Sequence, residues 1–282
     1  MPKKTFVSYA QYCEDIIAYE ALRQICPNGG VYVDVGANDA IQWSVTRALY
    51  ERGWHGINIE PLKNKYVGLC EDRKRDINLN IGISNKTGKM DILVANDEST
   101  FDVQTQKELL MKGRGNKKVS VKIDTLNNVF DEYIEQLGGI IHFCKIDVEG
   151  FEKQVLLSID FAKVKPWLFC IEMRNTKEWE PILIRNGYRL GLIDTLNAWY
   201  VDREYSEKII PALWSGDALA KRYHIFQIVQ YDELKKFRKK SIPEKVMFWA
   251  KVGKHVLKKH GVTGSIRLAK ERIKDINNVR KV

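Results

Sequence analysis

The chain has 282 residues, 44% of them hydrophobic and 10% aromatic, enough for one large α/β domain with an appendage. No apolar stretch approaches the roughly 18 to 20 residues of a membrane span, and the opening Met1-Pro2-Lys3-Lys4-Thr5 lacks the apolar core of a secretory signal, so a cytoplasmic protein is expected. The net charge of +10 is unevenly placed: residues 235–282 carry 16 Lys or Arg against 3 acidic residues, whereas residues 1–234 carry 30 against 33.

In chain order, Val31–Val35 reads as a short buried strand running into the turn Gly36-Ala37-Asn38-Asp39. A helix is predicted over residues 44–52, with Ser44 as N-cap and Gly53 as the stop, and Gly56–Glu60 follows as a second strand closed by Pro61. Strand, turn, helix and strand within about 30 residues is the βαβ unit of parallel sheets. Further strands are predicted at 77–83, 90–94 and 119–123, and a helix at 126–137. Two central strands at 140–147 and 167–173 flank a helix over 152–157, and a closing hairpin pairs 188–193 with 198–201. Beyond Lys235 two basic amphipathic helices are expected, one opened by Pro243 and one over 265–279. The organisation is a doubly wound, mostly parallel α/β domain over residues 1–234 and a basic helical tail over 235–282.

In such a sheet, ligands bind beyond the carboxyl ends of the strands. Four strand ends there carry acids: Asp34 with Gly36, Glu60, Asp147 with Glu149, and Glu172. Gly36 allows backbone to pass close to a ligand, and Glu60, 24 residues on, stands where a carboxylate accepts from ribose hydroxyls. The turn lacks the second and third glycines of a dinucleotide site and carries Asp39 where phosphate would lie, which disfavours phosphate. S-adenosylmethionine has no phosphate, and its amine and sulfonium suit Asp34 and nearby carbonyl groups. Asp34, Gly36, Asn38 and Glu60 are therefore the candidate cofactor residues. Gly82 and Ile83 either line the adenine or simply pack.

Several segments resemble the FkbM-type methyltransferases. Val33-Asp34-Val35-Gly36-Ala37-Asn38 is similar to that family's first cofactor motif, and Ser44-Val45-Thr46-Arg47, Glu51-Arg52-Gly53-Trp54 and Ile59-Glu60-Pro61 to its continuation. Lys145-Ile146-Asp147-Val148-Glu149-Gly150 resembles its central motif, and Ser8-Tyr9-Ala10-Gln11 with Glu14-Asp15 its lead-in. The likeness extends over about residues 5 to 235. It implies a class I methyltransferase, Rossmann-like fold and methyl transfer to oxygen, often on sugars or lipid-linked glycans of surface-polysaccharide pathways.

Methylating a hydroxyl requires removal of its proton. Asp147 is the expected general base with Glu149 and Glu172 as supports, against the alternative that the Asp-x-Glu-Gly turn only caps the next helix. Three such carboxylates could bind Mg²⁺, but no metal site is predicted. His142 sits in an apolar strand and reads as a core histidine, and His55, His224, His255 and His260 show no zinc spacing. Five scattered cysteines read as reduced, structural thiols. Ser99-Thr100-Phe101-Asp102 is assigned no role. The tail, over 243–282, could lie on an anionic membrane at its inner face, pack on the body or another copy, or, with least support, bind nucleic acid. Competing functions are an inactive S-adenosylmethionine-binding docking module and a nicotinamide-dependent oxidoreductase.

Overall fold

Strand β1 (Val31–Val35) is buried at all five positions, as a strand covered on both faces must be. In the computed structural model it lies at the middle of a seven-stranded sheet ordered β3-β2-β1-β7-β8-β10-β9. The structure describes residues 6–95, 98–115 and 117–224, and residues 1–222 form one compact unit. The tail helices expected within 235–282 lie outside the described residues.

Strands β2 (His55–Ile59), β3 (Ile77–Leu79), β7 (Phe143–Ile146) and β8 (Leu168–Glu172) run parallel with β1, while β10 (Asn197–Asp202) inserts antiparallel between β8 and β9 (Tyr188–Ile193). Side chains alternate between two apolar layers, following the two-residue period of a strand. Val33, Val35, Cys144, Ile146, Phe169, Ile171, Ala198 and Tyr200 face one layer, filled by α5 (Leu126–Tyr133), α6 (Glu152–Leu156) and α7 (Thr176–Arg185). Tyr32, Phe143, Leu168, Cys170, Trp199 and Val201 face the other, filled by α1 (Glu14–Leu22), Leu49 of α2 (Arg47–Tyr50) and the start of α8 (Ser206–His224). Helices on both faces make this the doubly wound architecture expected. Full burial of side chains such as Trp179 and Trp199 is worth at least ~2 kcal/mol each.

Between β3 and β7 the chain builds a second sheet, ordered β4-β6-β5, from β4 (Gly82–Ile83), β5 (Gly88–Val94) and β6 (Lys117–Asp124). Helix α3 (Lys63–Asp72) joins β2 to β3, and α4 (Val103–Met111) joins β5 to β6. The single strand expected over 77–83 is thus two strands in two sheets. Asn80 sits at the break, its side-chain amide donating to the Glu60 and Pro61 carbonyls, which turns the chain out of the main sheet. The helix expected from Ser44 is the shorter α2, because both upstream hydroxyls serve buried contacts. Ser44 Oγ accepts from Arg73 at 2.8 Å, and Thr46 Oγ1 donates to Asp34 at 2.8 Å.

Candidate functional site

A cavity of about 880 Å³ opens beyond the carboxyl ends of β1, β2, β7 and β8. Its floor is the turn after β1, where Gly36 N and Ala37 N donate to Ile59 O at 3.0 and 3.1 Å. Gly36 has φ +78°, and a Cβ there would stand 2.0 Å from the Asp147 carbonyl oxygen, so only glycine lets β1 and β7 close at this point. Asn38 and Trp43 on this loop and Glu149 on the opposite one also adopt left-handed conformations. Among the described residues, three of the five non-glycine residues with positive φ therefore line one cavity, a concentration of backbone strain typical of functional sites.

Glu60 follows β2 and is 4% exposed. Its two oxygens accept from Asn38 N at 2.9 Å and Leu62 N at 2.7 Å, which fixes the carboxylate against the β1 turn. Burial pushes it up to about 6. Gly82, Ile83, Ile81, Pro61, Leu62 and Phe101 line an apolar part of the wall, and a Cβ at Gly82 would fall 2.5 Å from the Phe101 ring.

Asp34 does not reach this wall. It shares a strand face with Tyr32, is 1% exposed, and lies behind the turn rather than in the cavity. Its register partner across the β1–β7 pair is Lys145, whose Nζ stands 3.4 Å from Asp34 Oδ1. Two residues on, just past the end of β7, Asp147 Oδ2 is also 3.4 Å from that ammonium. The third partner of Nζ is the Gly36 carbonyl at 2.8 Å. Burial opposes charge on Lys145, but Asp34 and Asp147 outweigh it and push its pKa up. Asp34 is thus a positioning residue for Lys145 and Thr46, and Lys145 ties the β1 turn to Asp147.

The three acids expected to act together do meet. Asp147, Glu149 and Glu172 place oxygens within 4.8 Å of one another, close enough for one cation to bridge. Arg174 supplies a fixed cation to two of them, with Nε 3.1 Å from both Glu172 oxygens and a guanidinium nitrogen paired with Glu149. Burial, then the neighbouring Glu172 and Asp147, push Glu149 up to about 9, and burial with Asp147 pushes Glu172 up to about 7. Burial and the crowding of acids thus hold both carboxyls above the ordinary range, against the pull of Arg174, which favours their charged forms.

Sequence reading missed Lys145, Arg174, Gln11, Glu14, Trp43 and Asn197, all on the wall. A lone lysine inside an apolar strand and an arginine just past a strand-end glutamate were readable signals. Gln11 and Glu14 stand in the lead-in segment that resembles the family but were given no role, and nothing local marked Trp43 and Asn197. The segment given no role, 99–102, has one: Ser99 and Phe101 line the cavity, Thr100 Oγ1 donates to the Glu149 carbonyl at 2.7 Å, and Asp102 caps α4 through Thr105 N at 2.7 Å. His142 is half-buried just before β7, its Nδ1 accepting from Val31 N at 3.0 Å and its ring packed edge-on against Trp54 and Trp167. Cys13, Cys26, Cys144 and Cys170 are buried free thiols and Cys70 is an exposed one.

No curated protein matches the chain. Among solved structures, the T. thermophilus 16S rRNA N2 G1207 methyltransferase (RsmC) in complex with AdoMet and guanosine is 12% identical, with a TM-score of 0.33 over 72% of this chain and 45% of its own, so the chain spans about half the length of that protein. The family model for the methyltransferase FkbM domain matches residues 34–190, from the buried Asp34 of the first turn through all three clustered acids. That match covers more than half of the sequence, and the chain belongs to the FkbM methyltransferase family.

Proposed function

We propose that the protein is an S-adenosylmethionine-dependent O-methyltransferase whose acceptor is a hydroxyl of a sugar or lipid-linked glycan. The observation that carries this reading is that one cavity is lined both by a fixed strand-end carboxylate, Glu60, and by the Asp147 cluster. Glu60, still offering lone pairs to ribose hydroxyls, Gly36 and Asn38 on the turn, and the apolar wall at Gly82 and Ile83 suit a nucleoside without phosphate. The acceptor class and the surface-polysaccharide setting rest on likeness to the family.

When bound, the cofactor supplies an electrophilic methyl group on a sulfonium. The chain's residues orient the acceptor oxygen toward it and take the hydroxyl proton. Asp147 is our choice of base, because it is ion-paired with Lys145 and its side chain remains 38% exposed toward the cavity. Glu149 and Glu172, whose carboxyls burial and the neighbouring acids hold above the ordinary range, stand beside it to receive the proton and pass it on. The test is transfer of labelled methyl to a panel of sugars. Asp147→Asn should lower kcat by about 10² to 10⁴ while S-adenosylhomocysteine binding persists. Equal turnover by the variant would remove Asp147 from the chemistry.

A further inference from the structure

One buried carboxylate on the cavity wall has no part in the reaction above. Glu14 opens α1 and is 4% exposed. Its Oε2 accepts from Tyr12 N at 2.8 Å and its Oε1 from Asn197 Nδ2 at 3.3 Å, both uncharged donors. Its charged neighbours, Asp194 and Asp15, are acids, and among the described residues it has no ion pair. Other buried acids of the site differ: Asp34 faces Lys145, and Glu149 and Glu172 face Arg174. Asp15 is closed off by the Ser8 hydroxyl and the amides of Tyr9, Ala10 and Ile16, and it is not on the wall. Glu60 is as deeply buried on the same wall but feels the cations Lys145 and Lys65, whereas the charged neighbours of Glu14 are acids, and a carboxylate in that setting favours a cation brought by a ligand.

We propose that Glu14, held by Asn197, is the counter-charge for an ammonium group of the bound ligand. Which ligands visit the cavity rests on the methyltransferase reading. Two could bring the ammonium: an amine-bearing acceptor, or the amino-acid end of the cofactor. Sheet order favours the first. Asn197 opens β10, whereas Glu60 follows β2, four strand spacings or roughly 19 Å away along the sheet. Asn197 is instead the register partner of Glu172, which places Glu14 at the end of the cavity opposite the ribose carboxylate. An amino sugar then fits better than a phosphorylated or uronic acid sugar, which would set a second negative charge against Glu14.

The test compares one ligand pair in which only one member carries a free ammonium on the sugar with a second in which only one member keeps the amino-acid end of the cofactor. Glucosamine and N-acetylglucosamine are titrated into the protein by saturation-transfer NMR with and without S-adenosylhomocysteine, and S-adenosylhomocysteine and 5′-methylthioadenosine by calorimetry. Each is repeated with Glu14→Gln. The expected result is an about tenfold preference for glucosamine in the natural protein that the variant abolishes. A preference for S-adenosylhomocysteine over methylthioadenosine that the variant reduces as much assigns the same pairing to the cofactor. Should Glu14→Gln fail to fold, Glu14→Asp, which draws the charge back by one methylene, takes its place. No amine preference in either pair, or one that survives in the variant, overturns the proposal. Failure to bind S-adenosylhomocysteine at all would instead remove the methyltransferase reading and leave the sugar comparison standing.

Discussion

At the scale of single residues the site depends on Lys145, a cation almost wholly removed from water and held between Asp34, Asp147 and the Gly36 carbonyl. Removing one member of a buried pair strands the other, which costs more than the pair itself contributes. Lys145→Met should therefore destabilise the fold by about 3 kcal/mol or more in urea denaturation, and adding Asp34→Asn should recover part of the loss. Additive losses in the double variant would show that the two charges do not depend on each other. Sequence alone placed Asp34 in the ligand's reach because it ends a strand before a glycine turn. What it could not reveal is that Asp34 and Lys145, 111 positions apart, are register partners and satisfy one another.

At the scale of elements, the turn after β1 and the loop after β7 are built against each other. Both Gly36 and Gly53 have positive φ, but a Cβ at Gly36 meets the Asp147 carbonyl at 2.0 Å while one at Gly53 meets nothing within 4 Å. Gly53→Ala should cost only the conformational strain, about 1 kcal/mol, whereas Gly36→Ala should cost at least twice that and abolish S-adenosylhomocysteine binding. Equal losses of Tm in the two variants would mean that close approach of β1 and β7 is not what requires Gly36. The main-sheet strands were readable because apolar runs ending in Gly, Asp or Glu have few other solutions. The second sheet was only half readable: β5 and β6 were seen as extended, yet their separate pairing is decided by Asn80 and by Phe101 packing on Gly82, contacts without a local signature. Helix α1 carries Glu14 and Asp15 buried in its first turn, a placement that no amphipathic pattern announces.

At the scale of the molecule, charge and function divide along the chain. The near-neutral portion up to residue 234 includes the FkbM match, and the basic residues concentrate beyond it. No helix among the described residues is long and apolar enough to cross a membrane. We propose that residues 243–282 attach the protein to anionic lipid, where each Lys or Arg contributes about 1 kcal/mol. The full chain should sediment with phosphatidylserine-rich vesicles at low salt and release at high salt, and a chain ending at residue 234 should not sediment. Equal sedimentation of both would remove that role from the tail.

In the proposed function, Glu60 and the β1 turn hold a nucleoside cofactor without phosphate. Calorimetric titration with S-adenosylhomocysteine, beside NAD and beside Glu60→Ala, tests it most directly. Micromolar binding of S-adenosylhomocysteine is expected, with none of NAD and a loss of about tenfold or more in the variant. Binding that is unchanged by Glu60→Ala, or a preference for NAD, would contradict it.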